Sequence, residues 1–146
     1  MTIAVMLLLD QVTKIYVSMM IPLGQSVGVV WGLNLTHVQN TGVAFSMLSG
    51  VAGLGFFSLA ACVYFLYQMH QRHSVWQVWA NVCLIAGALG NAIDRLTVGS
   101  VTDFIDIYYQ QWHWAIFNVA DILICIGALI WIWDQSINTR KPESNS

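Results

Sequence analysis

The sequence predicts an all-α membrane protein, a bundle of four transmembrane helices with a small extracytoplasmic β-type cap and an outer interfacial loop. Composition is the first reason: of the 146 residues 58% are hydrophobic and only 8% are charged, whereas soluble domains carry about 25% charged residues. The second reason is that the apolar residues gather in four runs, each near the ~20 residues that a helix needs to cross a bilayer. A soluble core of this length could not hide so much apolar surface.

The four runs define one integral membrane domain, residues 1–146. They cover residues 1–21, 51–69, 75–96 and 115–133. The first run carries Asp10 and Lys14 at mid-span, lacks a basic start, and has no small-residue cleavage site before Pro22. We therefore expect it to remain in the mature protein and not to be removed as a signal peptide.

Basic residues outside the spans predict the orientation. The loop 70–74 and the tail 134–146 hold three of the five Lys and Arg residues, whereas the segment 22–50 holds none. Because basic residues favour the cytoplasmic side, we expect the loop, the tail and both termini to be cytoplasmic. The segments 22–50 and 97–114 are then extracytoplasmic.

The two extracytoplasmic segments differ in character. Residues 27–38 are rich in β-branched and apolar residues, alternate around residue 34, and are flanked by glycines and an Asn-Thr-Gly turn, which predicts one or two short strands. Residues 97–114 contain four aromatic residues near their end, of the kind that settle at lipid headgroups. This second segment is expected to be an interfacial loop.

Polar residues inside the first and third spans have two readings each. Asp10 and Lys14 are four residues apart and so share a helix face, where they can form a structural ion pair or face a substrate. Near the outer end of span three, Asn91, Asp94 and Arg95 can be polar contacts in a packing seam, and Arg95 can also extend to the headgroups.

The fourth span opens with Asn118 and Asp121, which are three residues apart and share a face. If that helix starts near Ala115, Asp121 lies about 9 Å below its outer end. Asp103 lies in the outer connection, where it can approach Asp121 from above; by itself it would be a solvated loop acid. Two such carboxyls can share one proton and activate water.

Other kinds of site have less support. A net charge of −2 without a basic cluster argues against nucleic acid. The pair of acids has no His, Cys or Glu ligand set near it in sequence, so we expect no metal and no cofactor. The alternative is a small four-span transporter or proton-linked channel that uses intramembrane carboxylates. However, spans three and four are polar only near their outer ends.

Five blocks carry a resemblance to the bacterial lipoprotein signal peptidases, the signal peptidase II family. The blocks occur in order, and the resemblance runs from residue 10 to about residue 126. They are DQVTK at 10–14, NTGVAF at 40–45, GNAIDR at 90–95, VTDFI at 101–105 and FNVAD at 117–121.

The resemblance implies an aspartic endopeptidase of the bacterial inner membrane, with its site at the periplasmic face. Its substrates would be diacylglyceryl-modified prolipoproteins, cut just before the lipidated cysteine, and we expect a monomer in the lipid bilayer. Asp103 and Asp121 match the catalytic pair of the family. The residues that match its substrate-binding or supporting positions are Asn40, Gly42, Asn91, Arg95, Asn118, Asp10, Lys14 and Asp94.

The chain departs from the family pattern in three places. Ala86 replaces a frequent glycine, and Thr102 replaces the usual valine before Asp103. The chain also starts only nine residues before Asp10, where relatives commonly have a longer lead. None of these changes removes a chemical group that the two-carboxyl reaction needs.

Overall fold

The computed structural model describes residues 1–42, 50–69 and 74–138, and within these ranges the chain forms four helices and four strands. The predicted cytoplasmic loop lies almost wholly outside the described residues, as do the end of the tail and residues 43–45 of the second block. The helices are α1 (Thr2–Met20), α2 (Gly50–Gln68), α3 (Val75–Thr97) and α4 (Val119–Asn138), and the strands are β1 (Ser26–Val30), β2 (Leu33–Asn40), β3 (Val101–Tyr109) and β4 (Trp112–His113).

Helix α3 is the centre of the bundle and packs against the other three helices. Glycines allow the close approach. A Cβ at Gly87 would collide with the backbone of Ala120 on α4, and a Cβ at Gly90 would collide with the Asp10 carboxylate of α1. The lack of a side chain at Gly90 therefore lets a carboxylate of α1 pack directly on α3.

Three of the described helices are long and apolar enough to cross a membrane: Thr2–Met20, Val75–Thr97 and Val119–Ile137. In α2 the apolar stretch Gly55–Gln68 is shorter than these three. A membrane protein with a helical bundle is thus supported, and a fourth membrane span stays a prediction.

The strands of the described residues form one antiparallel sheet in the order β1-β2-β3-β4. The predicted β-type cap is confirmed by β1 and β2. The predicted interfacial loop at 97–114 is wrong, because β3 and β4 occupy most of it. Its sequence from Val101 to Tyr109 is rich in β-branched and aromatic residues, and it pairs with β2 from Leu33↔Ile107 to Asn40↔Val101.

Helix α4 starts at Val119, four residues later than the expected Ala115. The reason is tertiary. The backbone of Phe117 is bonded to β3: its carbonyl accepts from the N–H of Ile105 at 2.8 Å, and its own N–H donates to the Ile105 carbonyl at 3.2 Å. A residue held in this ladder cannot also be helical, so the helix begins after it.

Candidate active site

Asp103 lies on β3 and only 2% of its surface is exposed. Asp103 is therefore not the solvated loop acid that it would be by itself, because strand pairing with β2 carries the residue into the protein. Both carboxylate oxygens accept hydrogen bonds from side-chain amides. Asn40 Nδ2 donates to Oδ2 at 2.9 Å, and Asn118 Nδ2 donates to Oδ1 at 2.6 Å.

Asp121 lies in the first turn of α4 and is half-buried. Since the helix begins at Val119, the residue is about 3 Å from the helix start, and the expected depth of about 9 Å is wrong. Asn91 Nδ2 donates to its Oδ1 at 2.8 Å. The amino end of a helix favours a negative charge at this position.

Asn118 is fully buried and connects the two acids. Its Oδ1 accepts the backbone N–H of Asp121 at 3.0 Å, while its own backbone N–H donates to Asp121 Oδ2 at 3.2 Å, a reciprocal helix cap. With the backbone groups matched in this way, its Nδ2 is left to donate to Asp103. One amide thus fixes both carboxyls relative to each other.

The surroundings of Asp103 make its charged form less favourable. Burial raises the pKa of Asp103 to about 6, and the nearby Asp121 carboxylate adds to the rise. The hydrogen bonds from Asn40 and Asn118 and the charge of Lys14 oppose this rise. A carboxyl whose pKa lies near the working pH is suited to exchanging protons.

A buried network of charged side chains lies next to Asp103 and Asp121 and is connected to Asp121 through Asn91. The Lys14 ammonium lies 2.9 Å from Asp10 Oδ2, 3.1 Å from Asp94 Oδ2 and 3.0 Å from Asn91 Oδ1. Asp10 in turn accepts the backbone N–H of Ala120 at 2.8 Å. The i,i+4 pair predicted on α1 is therefore real, and it holds α3 and the start of α4 in register with α1.

Gln11 is a member of this network that sequence reasoning missed. Its Nε2, which has two hydrogens, lies within donating distance of three acceptors: Asp10 Oδ2 at 3.1 Å, Asp94 Oδ1 at 3.1 Å and the Gly90 carbonyl at 3.2 Å. A signal was available, because positions 11 and 14 are three apart and share a helix face. Thr102, by its backbone N–H, is the other missed partner of Asp94, at 3.1 Å.

The structure positions Gly42 and Arg95 differently from the other matched residues. The Gly42 N–H donates to Asn40 Oδ1 at 2.8 Å, in a backbone with φ of +66° that favours glycine. Gly42 thereby orients the Asn40 amide toward Asp103. Arg95 is half-buried beside Gly55 of α2, and its side chain has no hydrogen bond or ion pair with another described residue.

Asp106, three residues along β3 from Asp103, belongs to a separate cluster. It accepts from Thr36 Oγ1 and from His113 Nδ1, each at 2.8 Å. Burial raises the pKa of Asp106, but the hydrogen bonds from His113 and Thr36 and the charge of His113 outweigh burial and hold the pKa below its ordinary value. The cluster ties β2, β3 and β4 together.

The described residues hold neither a metal-binding cluster nor a disulfide. Among the described residues there is no group of three or more His, Cys, Asp or Glu side chains that could hold a metal ion. Cys62 and Cys83 are buried, Cys125 is exposed, and all three are free thiols.

Two carboxyls joined through one buried asparagine, at the sheet end of an apolar helical bundle, define a candidate membrane hydrolase of the aspartic type. Known proteins support a membrane peptidase. The family model described as signal peptidase (SPase) II matches residues 2–137. The lipoprotein signal peptidase of Hydrogenovibrio crunogenus is 43% identical over 152 residues, covering 96% of this chain and 88% of the relative.

Further relatives give the same result. The lipoprotein signal peptidase of Janthinobacterium sp. (strain Marseille) is 40% identical over 139 residues, covering 90% of this chain and 84% of the relative. A solved structure described as a bacterial membrane enzyme superposes with a TM-score of 0.87 at 31% identity, covering 99% of this chain and 92% of the other. A second, also described as a bacterial membrane enzyme, gives 0.82 at 32% identity, covering 90% and 88%.

The chain belongs to the signal peptidase II family. It is therefore a peptidase, and the family resemblance seen in the sequence is confirmed. Membership also decides against the transporter alternative, which had rested on the same intramembrane carboxylates.

Proposed function

We propose that this protein removes the signal peptide from diacylglyceryl-modified prolipoproteins, cutting just before the lipidated cysteine, with Asp103 and Asp121 activating the attacking water. The observation that carries the proposal is the bridge through Asn118, which donates to Asp103 and caps the helix that presents Asp121. The names of the relatives supply the substrate class.

The chemistry follows from two nearby carboxyls that share one proton. The ionised carboxyl accepts a proton from water, whose oxygen attacks the scissile carbonyl carbon. The protonated carboxyl gives its proton to the carbonyl oxygen, so that a tetrahedral diol forms. The C–N bond then breaks as the carboxyl that took the proton from water passes it to the leaving nitrogen, and one hydroxyl of the diol returns its proton to the other carboxyl, which restores the pair. Because the two groups titrate as a pair, the starting proton is assigned to the pair and not to either residue.

Asparagine amides keep the pair in a working geometry. Each carboxylate oxygen has two acceptor positions. The side-chain amides of Asn40, Asn91 and Asn118 each occupy one of them on the acids, and the backbone N–H of Asn118 occupies another on Asp121. The remaining positions can accept water or face the substrate. An amide holds the carboxylate without adding charge, so the shared proton stays between the acids.

The setting of the site fits a lipid-anchored substrate. We propose that the sheet end of the bundle faces the periplasm and that both termini of the inner-membrane monomer are cytoplasmic, which the positions of the basic residues support. Asn40, Gly42 and Arg95 would line the substrate path, and a diacylglyceryl substrate would enter sideways from the bilayer.

The test compares two forms of one precursor. The purified protein is incubated with a prolipoprotein whose cysteine carries the diacylglyceryl group, and with the same precursor before lipid transfer. We expect cleavage of the lipidated form, with the new N-terminus at the cysteine by mass spectrometry. No cleavage of the lipidated form, or cleavage elsewhere, would refute the proposed activity.

A further inference from the structure

A cleft of about 450 Å³ lies between α1, the end of α3 and the sheet. Its size is within the range of small-molecule sites, ~300–1,000 Å³. Its lining, within the described ranges, includes neither of the two acids of the candidate active site. The apolar wall consists of Ile15, Met19 and Val98, and polar groups come from Ser18, His37 and Gln39.

The Nε2 atom of His37 can accept a hydrogen bond, and its two neighbouring polar groups lie at long hydrogen-bond distances. Its Nδ1 lies 2.8 Å from the Ile21 carbonyl, and since a carbonyl only accepts, Nδ1 carries the hydrogen. In the neutral ring Nε2 is then an acceptor. Its neighbours are Ser18 Oγ at 3.5 Å and Gln39 Nε2 at 3.4 Å, which are longer than the usual ~2.7–3.2 Å. A hydroxyl group in the cleft would be a better donor.

The charge at the base of the cleft excludes some ligands. Lys14 and Asp94 both line it, but the three hydrogens of the Lys14 ammonium are already directed to Asp10, Asp94 and Asn91. Two buried carboxylates thus face one ammonium, which disfavours an anionic group such as phosphate. The ligand should be uncharged, with a hydroxyl group and an apolar part.

We propose that this cleft binds the free hydroxyl and ester region of a diacylglycerol-type lipid taken from the bilayer. Helices α1 and α3, which flank it, are both long and apolar enough to cross a membrane. The acyl chains would follow Ile15 and Met19, which are exposed on α1, while the hydroxyl donates to His37 Nε2. The lipid is a ligand of this cleft and not the substrate of the peptidase.

The test uses photoactivatable diacylglycerol in phosphatidylcholine nanodiscs containing the full chain, with labelled peptides mapped by mass spectrometry. We expect labelling to concentrate on α1, α3 and β2 at the cleft, and to be weaker with a photoactivatable phosphatidic acid. His37→Asn retains a donor for the Ile21 carbonyl but lacks Nε2, and should lower cleft labelling about two- to tenfold, the effect of one hydrogen bond.

A second variant and a control separate ligand loss from misfolding. Ser18→Trp places a large ring in the cleft and should also reduce labelling, whereas Met20→Trp, exposed on α1 outside the cleft, should leave it unchanged. Thermal unfolding by circular dichroism identifies any variant that does not fold, and Ser18→Trp still decides the matter if His37→Asn unfolds.

Three results would overturn the proposal. One is labelling spread evenly over lipid-facing helices and insensitive to Ser18→Trp. The second is stronger labelling by phosphatidic acid. The third is displacement of the label by diacylglyceryl prolipoprotein on an Asp103→Asn protein, which would make the cleft part of the substrate site. None of these readouts requires peptidase activity, so the proposed function can fail or hold independently.

Discussion

Asn118 offers the sharpest test of how the two acids are coupled, because its capping oxygen and its amide donor can be removed separately. Its Oδ1 caps the N–H of Asp121 at 3.0 Å, and its Nδ2 donates to Asp103 at 2.6 Å. Asn118→Ser retains a good capping oxygen but loses the amide donor. Asn118→Ala loses both.

The magnitudes follow from these bonds. A hydrogen bond to a charged group is worth about 1.5–3 kcal/mol, and one pKa unit corresponds to about 1.4 kcal/mol. Loss of the donor should therefore raise the pKa of Asp103 from about 6 by roughly one to two units in both variants. Loss of the cap in Asn118→Ala should cost about 1 kcal/mol of additional stability relative to Asn118→Ser.

The assay is the rate of cleavage of a diacylglyceryl peptide as a function of pH, with thermal unfolding measured in parallel. The two acids titrate as a pair, and the limb of the profile to which the raised pKa of Asp103 contributes should lie near pH 6 in the unchanged protein and move upward by the same amount in both variants. Only the stabilities of the two variants should differ. If the limb stays near pH 6 while the rate falls, Asn118 does not act through Asp103 and the reasoning is refuted.

Three further predictions concern stability. Gly90→Ala should reduce the free energy of unfolding by about 1–3 kcal/mol through overpacking, and so lower the melting temperature, because the new Cβ meets the Asp10 carboxylate. Gly28→Ala, whose Cβ would meet only an ordinary contact, is the control, and equal effects would contradict the packing. Lys14→Met should lower the free energy of unfolding by about 3–5 kcal/mol, since it leaves two buried carboxylates without their cation. An unchanged midpoint in chemical denaturation would contradict this. Because the folded-state pKa of Asp103 is raised, its ionisation should reduce the free energy of unfolding by at most about 3 kcal/mol as pH rises from about 4 to 6. Asp103→Asn should flatten that part of the plot of melting temperature against pH. A plot for the variant that runs parallel to that of the unchanged protein would argue against the raised pKa.

Features encoded locally could be read from the sequence. The apolar runs predicted the helices because a helix that meets lipid needs about 20 apolar residues in a row. Alternation and flanking glycines predicted β1 and β2. The spacing of Asp10 and Lys14 predicted their ion pair, because it depends only on the helical repeat.

Features that depend on distant partners could not be read in this way. The aromatic content of residues 97–114 predicts a loop, and only the pairing of β3 with β2 and of β4 with β3 makes most of them strands. Helix α4 begins later than its sequence predicts because Phe117 is hydrogen-bonded to Ile105. The positions of Arg95 beside α2 and of His37 in the cleft are likewise set by contacts between elements far apart in the chain.

The central claim is that Asp103 and Asp121 together activate the water, and single-turnover cleavage of diacylglyceryl prolipoprotein by variants tests it most directly. Asp103→Asn and Asp121→Asn should each slow the reaction by about 10²–10⁴-fold, the range for an acid or base in catalysis. Asp106 lies on the same strand and is hydrogen-bonded to Thr36 and His113. Asp106→Asn is therefore the matched control, and its cleavage rate should stay close to that of the unchanged protein. Cleavage at the unchanged rate by either of the first two folded variants would contradict the account.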